Sequence, residues 1–126
     1  MQFINTNNAP QPVGHYSQAI IHNDLVYVAG QLPIDAATGT KILSSIEEQT
    51  EKVMQNIEAI LLAAGSSLHH VIKTTVYISD ISLWDKVNKI YIKHFNTHKP
   101  ARVVVPTRNL HHGFSIEMDV IACLKE

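Results

Sequence analysis

Arg102 is the residue of this chain best suited to hold an anion. It stands in Lys99-Pro100-Ala101-Arg102-Val103-Val104-Val105-Pro106, near the start of an otherwise apolar, β-branched run. A guanidinium in such a run is costly to bury unless an anion or several acceptors meet it. Its planar fork matches a carboxylate bidentately, so one candidate partner is a small acidic ligand. The other is one of the chain's own carboxylates, Glu117 or Asp119. Spacing alone favours the internal pair, because buried charges are usually compensated within the protein.

The remaining chemistry-bearing types give less. The eight histidines include the pairs His69-His70 and His111-His112. Neighbours on an extended strand point in opposite directions and make no ready chelate. His94 and His98 have a helical spacing that suits a metal, yet His98 lies where a helix should be ending ahead of Pro100. No metal site is expected. Cys123 sits on an apolar strand with no base motif beside it and reads as packing rather than as a nucleophile. Ser17 and Ser44 have no triad context.

Residues 1–17 are punctuated by Asn, Pro and Gly and read as an entry strand plus loop. Extended segments near 18–22 and 25–30 flank His22-Asn23-Asp24, a hairpin turn, and Gly30-Gln31-Leu32-Pro33 breaks the second of them. Ser45-Ile46-Glu47-Glu48 is a capping box. It opens a helix with Ile46, Val53, Ile57, Ile60, Leu61 and Ala64 on one face, which Gly65 ends. Val71 to Ser79 is a strand with Ile72, Thr74, Val76 and Ile78 on one face. Ser82-Leu83-Trp84-Asp85 repeats the capping signal and opens a second helix with Leu83, Val87, Ile90, Tyr91 and His94 on its apolar side.

Two strands close the chain, near 101–106 and 114–125. The last carries Ile116, Met118, Val120, Ala122 and Leu124 on one side, and the mixed set Ser115, Glu117, Asp119, Ile121 and Cys123 on the other. The order β-β-β-α-β-α-β-β gives an α+β sandwich, a mixed sheet with two helices on one face. The mixed side of the last strand fits a sheet whose second face meets another subunit.

At 126 residues and 45% hydrophobic composition the chain is one domain, 1–126, with enough apolar content for a core. Charged residues are only 17%, against about 25% in ordinary soluble domains, which points to surface hidden in a homo-oligomer. The net charge is −1 and the pI is near 6.7. Scattered Lys and Arg leave no electrostatic footprint for nucleic acid. A lone cysteine, no secretory signal pattern and no stretch of membrane-spanning length lead to a cytoplasmic expectation.

Several short stretches coincide with one family. Gly14-His15-Tyr16-Ser17-Gln18-Ala19 follows Asn8-Ala9-Pro10, and Ala29-Gly30-Gln31-Leu32-Pro33 ends a strand. Val71-Ile72-Lys73-Thr74-Thr75-Val76-Tyr77 opens another, and Val87-Asn88 with Tyr91 lies on the second helix. Pro100-Ala101-Arg102 precedes Ile116-Glu117-Met118-Asp119-Val120-Ile121-Ala122. Each is short, but together, in order and across essentially the whole chain, they resemble the RidA/YjgF family of reactive-intermediate deaminases. The resemblance implies a chorismate-mutase-like fold assembled as a homotrimer, with ligand sites in clefts between subunits. It implies hydrolysis of short-lived 2-imino or enamine acids, such as 2-aminoacrylate, to 2-keto acids and ammonium, without a cofactor. By the same analogy Arg102 binds the substrate carboxylate and Tyr16 lines the cleft. Asp119 holds the attacking water, and backbone groups around Ala29, Gly30 and Gln31 complete the site.

The chain departs from the family pattern where His15 replaces Pro, Ala29 replaces Ser and Val104 replaces Cys. Asn109-Leu110-His111 stands for Arg-Leu-Pro. Asp119 in place of Glu draws the carboxylate back by roughly 1–1.5 Å, a displacement that can cost on the order of a hundredfold in rate. Asp119 also has a structural reading, as a partner of Arg102 or Lys73 across the sheet. Tyr16 also reads as a packing anchor in its Gly-flanked loop, and His15 as a surface histidine or a proton carrier. The substitutions leave two main readings, a deaminase or a non-catalytic binder of small carboxylates such as 2-keto acids. Ribonuclease or translation-inhibitor activity, attributed to some relatives, is disfavoured by the absence of a basic or aromatic stripe.

Overall fold

The computed structural model describes residues 1–125. Among them the chain forms β1 (Gln2–Ile4), β2 (Ala19–His22), β3 (Leu25–Gln31), α1 (Ile46–Ala63), β4 (Val71–Ile78), α2 (Trp84–Phe95), β5 (Ala101–Pro106) and β6 (Ile116–Cys123). The strands make one mixed sheet in the order β1-β2-β3-β6-β4-β5. Only β4 and β5 run parallel, and α2 is the crossover that a parallel pair requires. α1 packs on β3 and β6, and α2 on α1. The α+β architecture expected from the sequence is therefore the one adopted.

Local chemistry explains the elements. The β2–β3 turn places Asn23 and Asp24 at φ 49 and 65. Two left-handed central residues give a two-residue hairpin turn whose twist matches the strands. The Ser45 hydroxyl accepts the Glu48 amide at 3.1 Å, while the Glu48 carboxylate accepts from the Ser44 hydroxyl, so only half of the expected box forms. Gly65 follows α1 at φ 82, the left-handed residue that helix ends favour. Val53, Ile57, Ile60 and Leu61 are fully buried.

Three expectations are corrected. First, Ser82 does not cap α2: Asp80 accepts the Ser82 amide at 2.8 Å and caps a 3₁₀ turn, Ile81–Leu83, which runs into α2 without a side-chain cap. The buried stripe of α2 is Val87, Tyr91 and Phe95. Second, Ile72 does not join Thr74, Val76 and Ile78. The β4–β6 register shifts between Val71 and Lys73, and the extra residue of a bulge turns outward, leaving Ile72 46% exposed. Third, the last strand spans Ile116–Cys123 rather than 114–125.

The two sheet faces differ sharply. Ile116, Met118, Val120 and Ala122 of β6 are buried beneath the helices with Val26 and Val28. On the opposite face no helix lies among the described residues. Phe3, Ile20, Tyr27 and Ile121 make one cross-strand row there. Val103, Thr75 and Asp119 make another. Phe3 is 67% exposed, Tyr27 43% and Val103 44%.

Candidate functional site

Strand register decides where Arg102 points. Arg102 pairs with Thr74, and Thr74 pairs with Val120, so the three side chains share the helix-covered face. The edge position of β5 leaves Arg102 exposed. Its Nη1 donates to Asn88 Oδ1 at 3.0 Å. Its guanidinium carbon lies 4.5 Å from the Trp84 ring centroid and 5.0 Å from that of Tyr91, both on α2. Stacking and one neutral acceptor orient the fork without neutralising it. The internal pairing with Glu117 or Asp119 does not form, because those side chains belong to the other face of the sheet. Among the described residues no carboxylate pairs with Arg102. A cavity of about 440 Å³ lies beside it, floored by Tyr91, Ile92 and Phe95 and bordered by Lys99.

A second cavity, of about 260 Å³, gathers Tyr16, Ala29, Gly30, Leu32, His111 and Glu117. Here three of the residues singled out from the sequence meet. Gly30 is required by close approach: a Cβ at that position would stand 2.3 Å from Glu117 Oε2. The β3–β6 register is irregular between Val28 and Gln31, which re-aims the strand where it faces Glu117. Gln31 is 5% exposed, and its Nε2 donates to the Ala29 carbonyl at 3.1 Å. Gln31 is not among the residues that line the cavity.

The carboxylate in this cavity is Glu117 rather than Asp119. Asp119 lies on the same face, one pleat further along β6, opposite Thr75 and beside Tyr77 and Lys73. The shortening inferred for a water-holding carboxylate thus falls on a residue outside the cavity wall. Burial pushes the Glu117 carboxyl above its ordinary range, opposed by the charge of His111 and reinforced by that of Asp119. Burial also raises Asp119, against the Tyr77 hydroxyl and the Lys73 ammonium. Two same-sign groups with raised values on one strand face are a feature of acid–base sites.

The other sequence candidates disperse. His15 is exposed and does not line the cavity of its neighbour Tyr16. Val104 is half-buried against the core. His94 Nε2 lies 2.7 Å from Glu51 Oε2, while His98 Nε2 donates to the Val71 carbonyl at 2.7 Å. The two rings therefore serve separate partners. Among the described residues no three His, Cys, Asp or Glu side chains gather at one point. Sequence reasoning missed the site placement of Glu117 and His111, and the orienting roles of Asn88 and Trp84. The available signal was Gly30 at a strand break, which asks what side chain needs the space.

These features define a class: an α+β sandwich with one open sheet face, a carboxylate cavity on that face and an arginine at the sheet edge that has no carboxylate partner among the described residues. The chain belongs to the RidA/YjgF family; the family model described as Endoribonuclease L-PSP matches residues 6–124. The chain is 46% identical over 121 residues to a RutC family protein of Pyrococcus abyssi, covering 96% of this chain and 95% of that protein. Its structure matches yeast Mmf1 with a TM-score of 0.95 at 39% identity, covering 98% of each chain. It matches E. coli TdcF with bound serine at a TM-score of 0.94 and 30% identity, covering 99% of this chain and 100% of that one.

Proposed function

We propose that the protein hydrolyses reactive 2-imino and enamine acids to 2-keto acids and ammonium, at sites completed between copies of the chain in a homotrimer. The observation that carries this reading is Arg102: an exposed guanidinium, held flat by Trp84, Tyr91 and Asn88, with no carboxylate partner among the described residues. Such a group is pre-oriented to take a substrate carboxylate bidentately. The serine bound to TdcF also carries a carboxylate.

The chemistry asks little more. Imines are electrophilic at carbon, and protonation increases this, so holding the acid and activating a water suffices. Glu117 takes the proton from the attacking water, its raised value being suited to exchanging that proton again. Tyr16 and the Ala29-Gly30 backbone shape the cavity wall, and Asp119 acts on Glu117 through its charge. The mechanism invokes no cofactor.

Arg102 and Glu117 of one chain point to opposite faces of its sheet. A site using both therefore takes them from two chains, and the open apolar face with Phe3, Tyr27 and Val103 offers the contact surface. The deciding test is release of ammonium and keto acid from imino acids generated in situ. Wild type should accelerate it, and Arg102→Ala should lose at least about a hundredfold in kcat/KM. No acceleration by wild type overturns the reading.

The second reading, a carboxylate binder without turnover, is favoured by Ala29 and Val104, which supply no hydroxyl or thiol. Calorimetric binding of a 2-keto acid by a protein that shows no turnover would select it. The scattered Lys and Arg provide no basic track for a phosphate backbone, which disfavours RNA as the substrate.

A further inference from the structure

His111 lines the same cavity as Glu117 and Tyr16, and nothing in the scheme above uses it. Its backbone is fixed rather than loose. The Phe114 amide donates to the His111 carbonyl at 3.1 Å, and Phe114 itself is 1% exposed. Between them His112 and Gly113 take left-handed φ values of 58 and 76. A non-glycine residue held at positive φ beside a cavity is backbone strain of the kind that accompanies functional sites. The anchored turn presents an exposed imidazole to a half-buried carboxylate across a small space.

Imine hydrolysis needs two proton movements in opposite senses, one off the attacking water and one onto the departing nitrogen. Glu117 by itself would have to carry a proton from one side of the tetrahedral adduct to the other. We propose that His111 is a second catalytic residue, the acid that protonates the leaving nitrogen, working as a pair with Glu117. This rests on the deaminase reading above.

Water oxygen bonds to the iminium carbon, the C=N π pair moves to nitrogen, and Glu117 accepts one water proton. The His111 imidazolium gives a proton to the nitrogen of the adduct. The C–N bond then breaks with its electron pair leaving on ammonia. As the carbonyl forms, the hydroxyl proton passes to the vacated imidazole, and the Glu117 proton completes ammonium. An imidazole ring can both give and take a proton, which suits it to this turnover. The titratable groups around it are Glu117 and Asp119 on β6, Tyr16 on the entry loop and His112 next in the chain. Tyr77 and Lys73 on β4 flank Asp119.

The test measures the pH profile of kcat for ammonium release by wild type, His111→Asn, His111→Ala and Glu117→Gln, each with unchanged circular dichroism. The expected result is a kcat loss of about a hundredfold in both His111 variants, with KM little changed and the alkaline limb of the profile gone. Added imidazole should restore rate to His111→Ala in proportion to its imidazolium concentration, which a structural role would not produce. If Glu117→Gln is inactive while both His111 variants keep the wild-type profile, this proposal falls and the deaminase reading stands. A wild type without activity overturns both.

Discussion

At the scale of single residues, the cavity beside Gly30 is built on a carboxyl that the fold holds at a cost. Burial raises Glu117, opposed by the His111 charge and reinforced by that of Asp119. The native chain therefore binds this proton more tightly than the unfolded chain does. The stability from that preference is complete below the unfolded value near 4.5. It is lost as pH rises through the raised folded value, so at neutral pH the ionised group is a burden. Glu117→Gln should raise the melting temperature at pH 7 by about 3 °C. The gain should shrink towards pH 4 in a calorimetric series, while deaminase activity falls. A variant less stable than wild type at pH 7 would show instead that the ionised carboxylate is satisfied in the native assembly.

At the scale of elements, α2 has two jobs. Its inner stripe of Val87, Tyr91 and Phe95 joins the core, with the Tyr91 and Thr74 hydroxyls 2.9 Å apart. Its first turns carry Trp84 and Asn88, which set the Arg102 fork. What keeps α2 in place against α1 includes Glu51, which meets His94 at 2.7 Å and Lys93 at 3.7 Å. Burial raises the Glu51 carboxyl, but the hydrogen bond and charge of His94, with Lys93, outweigh it and hold the group below its ordinary range. Stability from this group is present above the unfolded value and lost as pH falls through the depressed one. Glu51→Gln should cost about 0.5 kcal/mol at pH 7 in urea titrations, the pair being partly solvated. The difference should vanish in acid. An undiminished difference at low pH would assign the cost to packing.

At the scale of the whole molecule, the sheet is covered on one side and open on the other. The open side mixes Phe3, Ile20, Tyr27, Ile121 and Val103 with Lys73, Glu117 and Asp119. An apolar surface of this kind with charges set among it is what an obligate assembly hides. Val103→Glu places a new charge on that face beside Thr75, in the cross-strand row that ends at Asp119. It should shift sedimentation velocity from the proposed trimer to monomer and lower the proposed deaminase activity at least about tenfold, because the two halves of the proposed site separate. A trimer that survives Val103→Glu would move the subunit contact elsewhere.

Much of this was legible in the sequence because local patterns have local causes. Ser45 and Gly65 bound α1, alternation along Ile116–Cys123 marks a strand with two unlike faces, and Asn23-Asp24 turns a hairpin. The motifs around Tyr16, Gly30 and Arg102 carried the family. Period-two alternation, however, puts Glu117 and Asp119 on one face without saying which meets the cavity. Cross-strand register and the irregularity between Val28 and Gln31 made that choice, bringing Gly30 against Glu117. Nor does spacing along the chain say that Arg102 and Glu117 lie on opposite faces. That follows from Thr74 pairing with Arg102 on one side and Val120 on the other. The sequence determined which side chains alternate and where strands and helices begin. Which of those side chains share a space was decided by hydrogen-bonded register between strands far apart in the chain, a property that only the assembled sheet possesses.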